Sequence, residues 1–148
     1  LQQSSAASDV YKRQVDDIGT SMDLFTTFSY LADVEVPNDR IIDGNNLSNV
    51  FKSLSKSPTE SFFYYWGAEL MAVRYKSHKL HLKLHEAYDG KPMETLKTPF
   101  LYNLDNDPSE DNNIYEDNLE ILDKIDQITK KHKRDLIIAK DLLIDLKQ

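Results

Sequence analysis

Between residues 22 and 32 the apolar side chains Met22, Phe25, Phe28 and Leu31, followed by Ala32, recur at the spacing of one helix face. Thr20 or Ser21 is suited to cap this helix, with Asp23 favourably placed in its first turn. The helix is expected to end near Ala32 or Asp33, before an extended Val34–Pro37 segment, because a proline disfavours helical backbone in the residue before it. Asp43-Gly44 is a turn signal, and Leu47, Val50, Phe51 and Leu54 fit a second, short helix.

Pro58 opens a different pattern. Ser61–Trp66 is an aromatic run suited to a buried strand, Gly67 and Ala68 allow a turn, and Leu70–Tyr75 reads as a second strand. Lys79–Tyr88 alternates cleanly, with Leu80, Leu82 and Leu84 on one face and His81, Lys83 and His85 on the other, as a half-buried antiparallel strand requires. Asp89-Gly90 is a strong turn signal. Thr98–Leu104 gives a fourth strand, with Pro99 pointing to its start or to an edge position. After the acidic turn of residues 105–113, Ile121, Ile125, Ile128, His132, Leu136, Ala139, Leu143 and Leu146 alternate in steps of three and four, which predicts a long helix from about Asp117 packing one stripe onto the sheet. The basic cluster Lys130–Arg134 is a possible interruption, in which case Asp135–Lys147 forms its own amphipathic helix. Residues 1–14, LQQSSAASDVYKRQ, lack apolar periodicity and read as a leader that is disordered or foreign to the fold. The fold class is therefore α+β: helices, a four-stranded antiparallel sheet and a long closing helix.

Composition narrows the function classes. A chain of 148 residues with 40% hydrophobic and 29% charged residues can bury one ordinary core. Its formal net charge of −7 argues against non-specific nucleic-acid binding, which needs cationic surface to displace counterions. The absence of Cys removes disulfides, thiolate metal sites and a Cys nucleophile together. No apolar run approaches the roughly 20 residues of a membrane span.

Three constellations invite chemistry. Asp105, Asp107, Ser109 and Glu116 fall at positions one, three, five and twelve of a calcium-binding EF-hand loop, but position six, which needs Gly for its sharp turn, is Glu110, and the preceding segment reads as a strand. A polar strand-to-helix turn accounts better for the same residues. His81 and His85 share a strand face, but Lys83 between them opposes a metal ion, so a solvated or interfacial face is the better reading. Ser, His and Asp are all present without a G-x-S-x-G elbow, and the four glycines, Gly19, Gly44, Gly67 and Gly90, are isolated, so no phosphate loop exists.

The order of blocks resembles the C-terminal third of the type I, formylglycine-dependent sulfatases, the arylsulfatase and N-acetylgalactosamine-6-sulfatase group. Ser21–Thr27 is similar to that family's S-x-D-L-x-P-T helix, with Thr26 where the family usually has Pro. Pro37–Gly44 resembles its P-x-D-R-x-x-D-G turn, and Phe62–Tyr65 its aromatic strand. Met71–Arg74 and Lys79–His81 resemble the A-V-R … K-x-H hairpin. Leu101–Leu104, Asp107–Glu110 and Asn113-Ile114 resemble the L-Y-x-L … D-P-x-E … N segment before the last helix. The resemblance covers residues 16–132, and the order and spacing of the blocks carry it rather than any one motif. The tail 135–148 has no counterpart in the pattern.

The resemblance implies a division into a leader (1–14), the end of a sulfatase α/β catalytic domain (15–57), a C-terminal subdomain (58–134) and a helical tail (135–148). It implies a parent that hydrolyses sulfate esters with a formylglycine nucleophile and a calcium ion, and that is exported. The nucleophile motif [C/S]-x-P-x-R is absent here: the residues two before the five prolines are Glu35, Lys56, Gly90, Lys97 and Asn106. The expectation is a fragment inactive alone, without catalytic residues, metal ligands or cofactor of its own, whose partners are the missing N-terminal domain and the parent's sulfated substrate. Arg74, Lys79 and His81 are the substrate-proximal candidates, since a cationic or hydrogen-bonding rim suits a sulfate ester. The bland reading makes Arg74 and Lys79 solvated strand residues and His81 a packing or interface residue. The rival reading of the whole chain is a stand-alone, non-catalytic α+β interaction module. Exposure of the residue 22–31 helix separates the two, because a fragment leaves uncovered the face its missing domain packs on, whereas a module buries it.

Overall fold

The structure is a computed structural model that describes residues 15–85 and 92–136. The expected leader 1–14, the Asp89-Gly90 turn signal, the expected strand end at 86–88 and the expected helical tail beyond Leu136 fall outside the described residues. The chain divides into two compact units, Leu1–Glu60 and Ser61–Gln148.

In the first unit, helix α1 (Met22–Leu31) has Ser21 as N-cap residue without a side-chain cap bond. The cap role passes to Asp23, whose carboxylate reaches back to the Thr20 amide at 2.6 Å and the Thr20 hydroxyl at 3.0 Å. The helix closes with Asp33 in left-handed backbone (φ 56°) and the Val34 amide donating to the Ser29 carbonyl at 2.9 Å, the hydrogen-bond pattern usually built on Gly. Asp23 and Thr27 are the buried residues of α1. The second oxygen of Asp23 accepts from the Asn45 amide at 2.6 Å, and the Thr27 hydroxyl accepts from the Leu47 amide at 2.9 Å. Thr26, at the position where the family pattern has Pro, donates its hydroxyl to the Gly44 carbonyl at 2.9 Å. Helix α1 is thus fastened to residues 44–47 by polar side chains.

That arrangement corrects the expectation of a turn at Asp43-Gly44. The segment 41–47 carries no turn. Gly44 serves close approach instead: a Cβ there would lie 2.1 Å from the Met22 carbonyl oxygen. The second helix, α2, spans only Ser48–Phe51, shorter than the Leu47–Leu54 pattern, because Ser53 turns to left-handed backbone (φ 64°) and the Leu54 amide closes onto the Asn49 carbonyl.

The second unit is an antiparallel sheet in the order β1-β2-β3-β4, with β1 Ser61–Trp66, β2 Glu69–Tyr75, β3 His78–Leu84 and β4 Glu94–Asn103. A 3-10 turn at Tyr115–Asp117 leads into α3 (Leu119–Asp135), which runs uninterrupted through the basic cluster Lys130–Arg134. Four strands and a closing helix match the expected α+β class. The strands are those expected except that β3 ends at Leu84, short of the expected Lys79–Tyr88, and β4 starts earlier, at Glu94. The register shifts between His81 and Lys83, whose partners are Phe100 and Thr95, so four residues including Pro99 stand opposite Leu82 alone. The proline therefore sits inside an irregular stretch of an edge strand, where no ladder amide is required of it.

The core lies between one sheet face and α3. Leu70, Val73, Leu80, Leu101 and Ile125 are buried together, with Phe63, Leu82, Ile121 and Leu122 among the side chains packed around them. A bulge between Tyr64 and Tyr65 moves the pairing from Tyr64–Ala72 to Tyr65–Leu70, which returns Leu70 to the face of Val73. Near its C-terminal end α3 is anchored by His132. Its imidazole lies on the Phe63 ring with centroids 3.7 Å apart, and its Nε2 is 2.9 Å from the Tyr65 hydroxyl.

Candidate functional site

Alternation fixes what occupies the sheet face turned away from α3. One row across the strands is Tyr64, Ala72, His81 and Phe100, and the next is Phe62, Arg74, Lys79 and Tyr102. All three sequence candidates, Arg74, Lys79 and His81, therefore stand on one face, with Arg74 directly opposite Lys79 in register. Arg74 donates its Nε to the Lys76 carbonyl at 2.8 Å.

Lys79 and His81 converge on a residue that sequence reasoning did not single out. The Glu110 carboxylate accepts from Lys79 Nζ at 2.7 Å through Oε1 and lies 2.8 Å from His81 Nε2 through Oε2. The three side chains are only 19%, 18% and 25% exposed for Lys79, His81 and Glu110. Lys79 Nζ also lies 5.1 Å from the Tyr64 ring centroid, and His81 meets Tyr102 edge-to-face at 5.8 Å. Lys79 is a packed, ion-paired cation rather than a solvated one.

The loop after β4 presents Glu110. Asp107 accepts the Asp111 and Asn112 amides at 3.0 and 2.9 Å. Glu110 itself adopts left-handed backbone (φ 61°), a conformation a non-glycine residue holds only when its surroundings enforce it. The calcium-loop reading of this segment failed partly for want of a glycine here. The left-handed bend occurs anyway, and it turns the Glu110 carboxylate toward β3. Two signals could have found it: a strand face with Lys79 and His81 but no anion, and an acidic turn following the neighbouring strand.

Burial pushes the Glu110 carboxyl up, but the Lys79 hydrogen bond and charge, with His81, outweigh it and hold the group below the ordinary carboxylate value. Burial, followed by the Lys79 charge, lowers His81 below the ordinary imidazole value despite Glu110. Tyr102 is pushed up, by burial first and then by the carboxylates of Glu110, Asp107 and Asp111. Since a carboxylate only accepts hydrogen bonds, the neutral His81 ring carries its proton on Nε2 and offers Nδ1 as an acceptor. The cluster thus presents a held ammonium donor and a neutral imidazole acceptor side by side.

An open groove of about 280 Å³ runs along the same face past Tyr64, Tyr65, Trp66, Lys79, His81 and His85. Lys83 lines it too, ion-paired with Glu69 on the adjacent strand. No group of three or more His, Cys, Asp or Glu suited to a metal ion occurs among the described residues.

Comparison with known proteins places this fold. A family model described as the C-terminal region of aryl-sulfatase matches residues 57–148. The chain belongs to that family. The resemblance drawn from the order of sequence blocks is borne out, and the match takes in the tail that the block pattern did not cover. An arylsulfatase of Hemicentrotus pulcherrimus is 43% identical over 68 residues, covering 46% of this chain and 12% of that protein. The N-acetylgalactosamine-6-sulfatase of Rattus norvegicus is 28% identical over 146 residues, covering 81% of this chain and 27% of that protein. Among solved structures, a sulfatase from Pseudoalteromonas sp. superposes with a TM-score of 0.57 at 18% identity, over 76% of this chain and 25% of that one. The sulfatase C-terminal region therefore spans about a quarter or less of the length of these relatives. No helix among its described residues is long and apolar enough to cross a membrane.

Proposed function

We propose that this region completes a sulfuric ester hydrolase. The nucleophile, the formylglycine of the family, and the calcium ligands lie in the part of the relatives that this chain does not span. The absence of Cys and of any [C/S]-x-P-x-R motif supports that division. In this reading the region itself is catalytically inert, and its sheet face lines the approach to the substrate. Lys79 and Arg74 supply positive charge for the sulfate ester, while His81 offers a hydrogen-bond acceptor to a hydroxyl of the leaving group.

The observation that carries the substrate role is the convergence of Lys79 and His81 on Glu110. Two interacting basic groups are fixed on a sheet face that α3 leaves open. The exposure of α1 supports the wider reading. Phe25, Phe28 and Leu31 are 51%, 58% and 56% exposed, as expected of a helix whose covering domain lies elsewhere in the polypeptide. A stand-alone interaction module would bury them.

The test is kinetic. In the complete reading frame, Lys79→Ala and His81→Ala are each expected to lower kcat/KM for a sulfate ester about tenfold or more, mainly through KM, as loss of a substrate contact does. Unchanged kcat/KM in both variants, and in Arg74→Ala, would leave these residues with packing roles only.

A further inference from the structure

Both lysines that line the groove are matched to a carboxylate standing outside its lining. Lys79 is paired with Glu110 at 2.7 Å, and Lys83 with Glu69. Burial pushes Glu110 up, but Lys79 and His81 outweigh it, and the Lys83 hydrogen bond and charge lower Glu69, so both carboxylates are ionised at neutral pH. The groove therefore offers ammonium donors whose charge is already offset. The two pairs differ in reach. Glu69 is 55% exposed and is screened by water and salt, whereas Glu110 is 25% exposed and keeps more of its field. That field extends to β4, where Tyr102 is pushed up by burial first and then by Glu110, Asp107 and Asp111. From β2, Arg74 faces Lys79 in register.

An anion that accepts a hydrogen bond from Lys79 Nζ brings its oxygen to about 5 Å from Glu110. One negative charge on that anion shares the ammonium with Glu110. A second charge on the same ligand meets a lysine already offset, and is repelled by the Glu110 carboxylate. Two esters of the same tetrahedral shape are separated by this difference. A sulfate monoester carries one negative charge, and a phosphate monoester carries two above its second pKa of about 6. We propose that Glu110 gives the groove its preference for singly over doubly charged tetrahedral esters, acting through Lys79 as a positioning residue that does not touch the ligand. The inference rests on the sulfuric ester hydrolase reading for the ligand and adds what turns away its doubly charged analogue.

The full chain is titrated with phenyl sulfate and with phenyl phosphate, followed on the Lys79 amide and His81 ring NMR signals. At pH 8 phenyl sulfate is expected to bind about tenfold more tightly than phenyl phosphate. At pH 5 the phosphate carries one charge while Glu110 remains ionised, and the gap is expected to close to within about threefold. Protonation of His81 on acidification favours both ligands, so the ratio of affinities is the readout. Glu110→Gln keeps the shape and removes the charge, and is expected to close the gap at pH 8. A role confined to holding the loop would weaken both ligands together and leave the ratio unchanged. Glu69→Gln is expected to alter the ratio by about twofold at most. The pH comparison needs no variant, so the test stands even where Glu110→Gln fails to fold. Phenyl sulfate binding with no preference at pH 8, a preference that persists at pH 5 or in Glu110→Gln, or a larger loss in Glu69→Gln overturns charge selection by Glu110 and leaves the proposed function standing. Silence at Lys79 and His81 with both ligands overturns it together with the substrate contacts of the proposed function.

Discussion

Glu110 Oε2 lies 2.8 Å from His81 Nε2 while Oε1 of the same carboxylate takes a hydrogen bond from Lys79 at 2.7 Å, so one loop residue in left-handed backbone ties two strand residues together. The carboxylate raises the affinity of His81 for a proton, against the burial and the Lys79 charge that lower it. Replacing Glu110 by Gln removes the opposing charge with little change of shape. The His81 pKa is then expected to fall further below its ordinary value, read from the imidazole signals in an NMR pH titration. A rise, or no change, would mean that Glu110 does not govern His81.

Acid weakens the second unit in two stages. His81 and His132 both have folded-state values lowered from 6.5, each by burial first. A lowered histidine means that the unfolded chain binds the proton more readily, so stability is fully present above about pH 6.5 and is lost as pH falls from there toward the folded values. Glu110, lowered from 4.5, adds a further loss as pH falls below that value. Urea midpoints should therefore decrease steadily from about pH 7.5 to about pH 4, and His132→Phe should flatten the first stage. A midpoint that rises on acidification contradicts the assignment.

The core is concentrated in a few residues. Leu101 and Val73 are 0% exposed and Ile125 is 1% exposed, all between the sheet and α3. Leu101→Ala and Ile125→Ala should each cost about 2–5 kcal/mol, through lost apolar burial and the cavity left behind. Leu119→Ala, at a residue 73% exposed on the same helix, should stay within about 0.5 kcal/mol. Denaturant unfolding of the three variants checks the contrast.

In the first unit the fastening is polar. Asp23 is 2% exposed and accepts three hydrogen bonds, from the Thr20 amide and hydroxyl and the Asn45 amide. Asp23→Ala should destabilise the unit by about 2–3 kcal/mol and expose the Asn45 amide to hydrogen exchange. Gly44→Ala should do the same by a different route, since its Cβ would collide with the Met22 carbonyl. Normal protection of Asn45 in both variants would show that residues 44–47 are held by other means.

The sheet was legible because alternation is a strong signal where one face is buried. Leu80 and Leu82 against His81 and Lys83 fixed both the strand and its faces. The beginning of β4 was not legible, since the irregular pairing opposite Leu82 breaks the period and makes Pro99 look like a start. Asp23 and Thr27 were read only for the helix they sit in, although their partners lie 22 and 20 residues away at Asn45 and Leu47. Side-chain bonds of that span leave no periodic trace. Glu110 escaped for the same reason: its partners are 31 and 29 residues away, on β3. Lys79 and His81 were found by family resemblance, and the fold explains why the pair is held together.

The central claim, that this region completes a sulfuric ester hydrolase, is tested most directly by long-read sequencing of the source DNA across the stretch upstream of Val15. The account predicts a frame that continues into a domain carrying [C/S]-x-P-x-R and acidic calcium ligands. A start codon with its promoter immediately before Leu1 would contradict it and make the chain a stand-alone module.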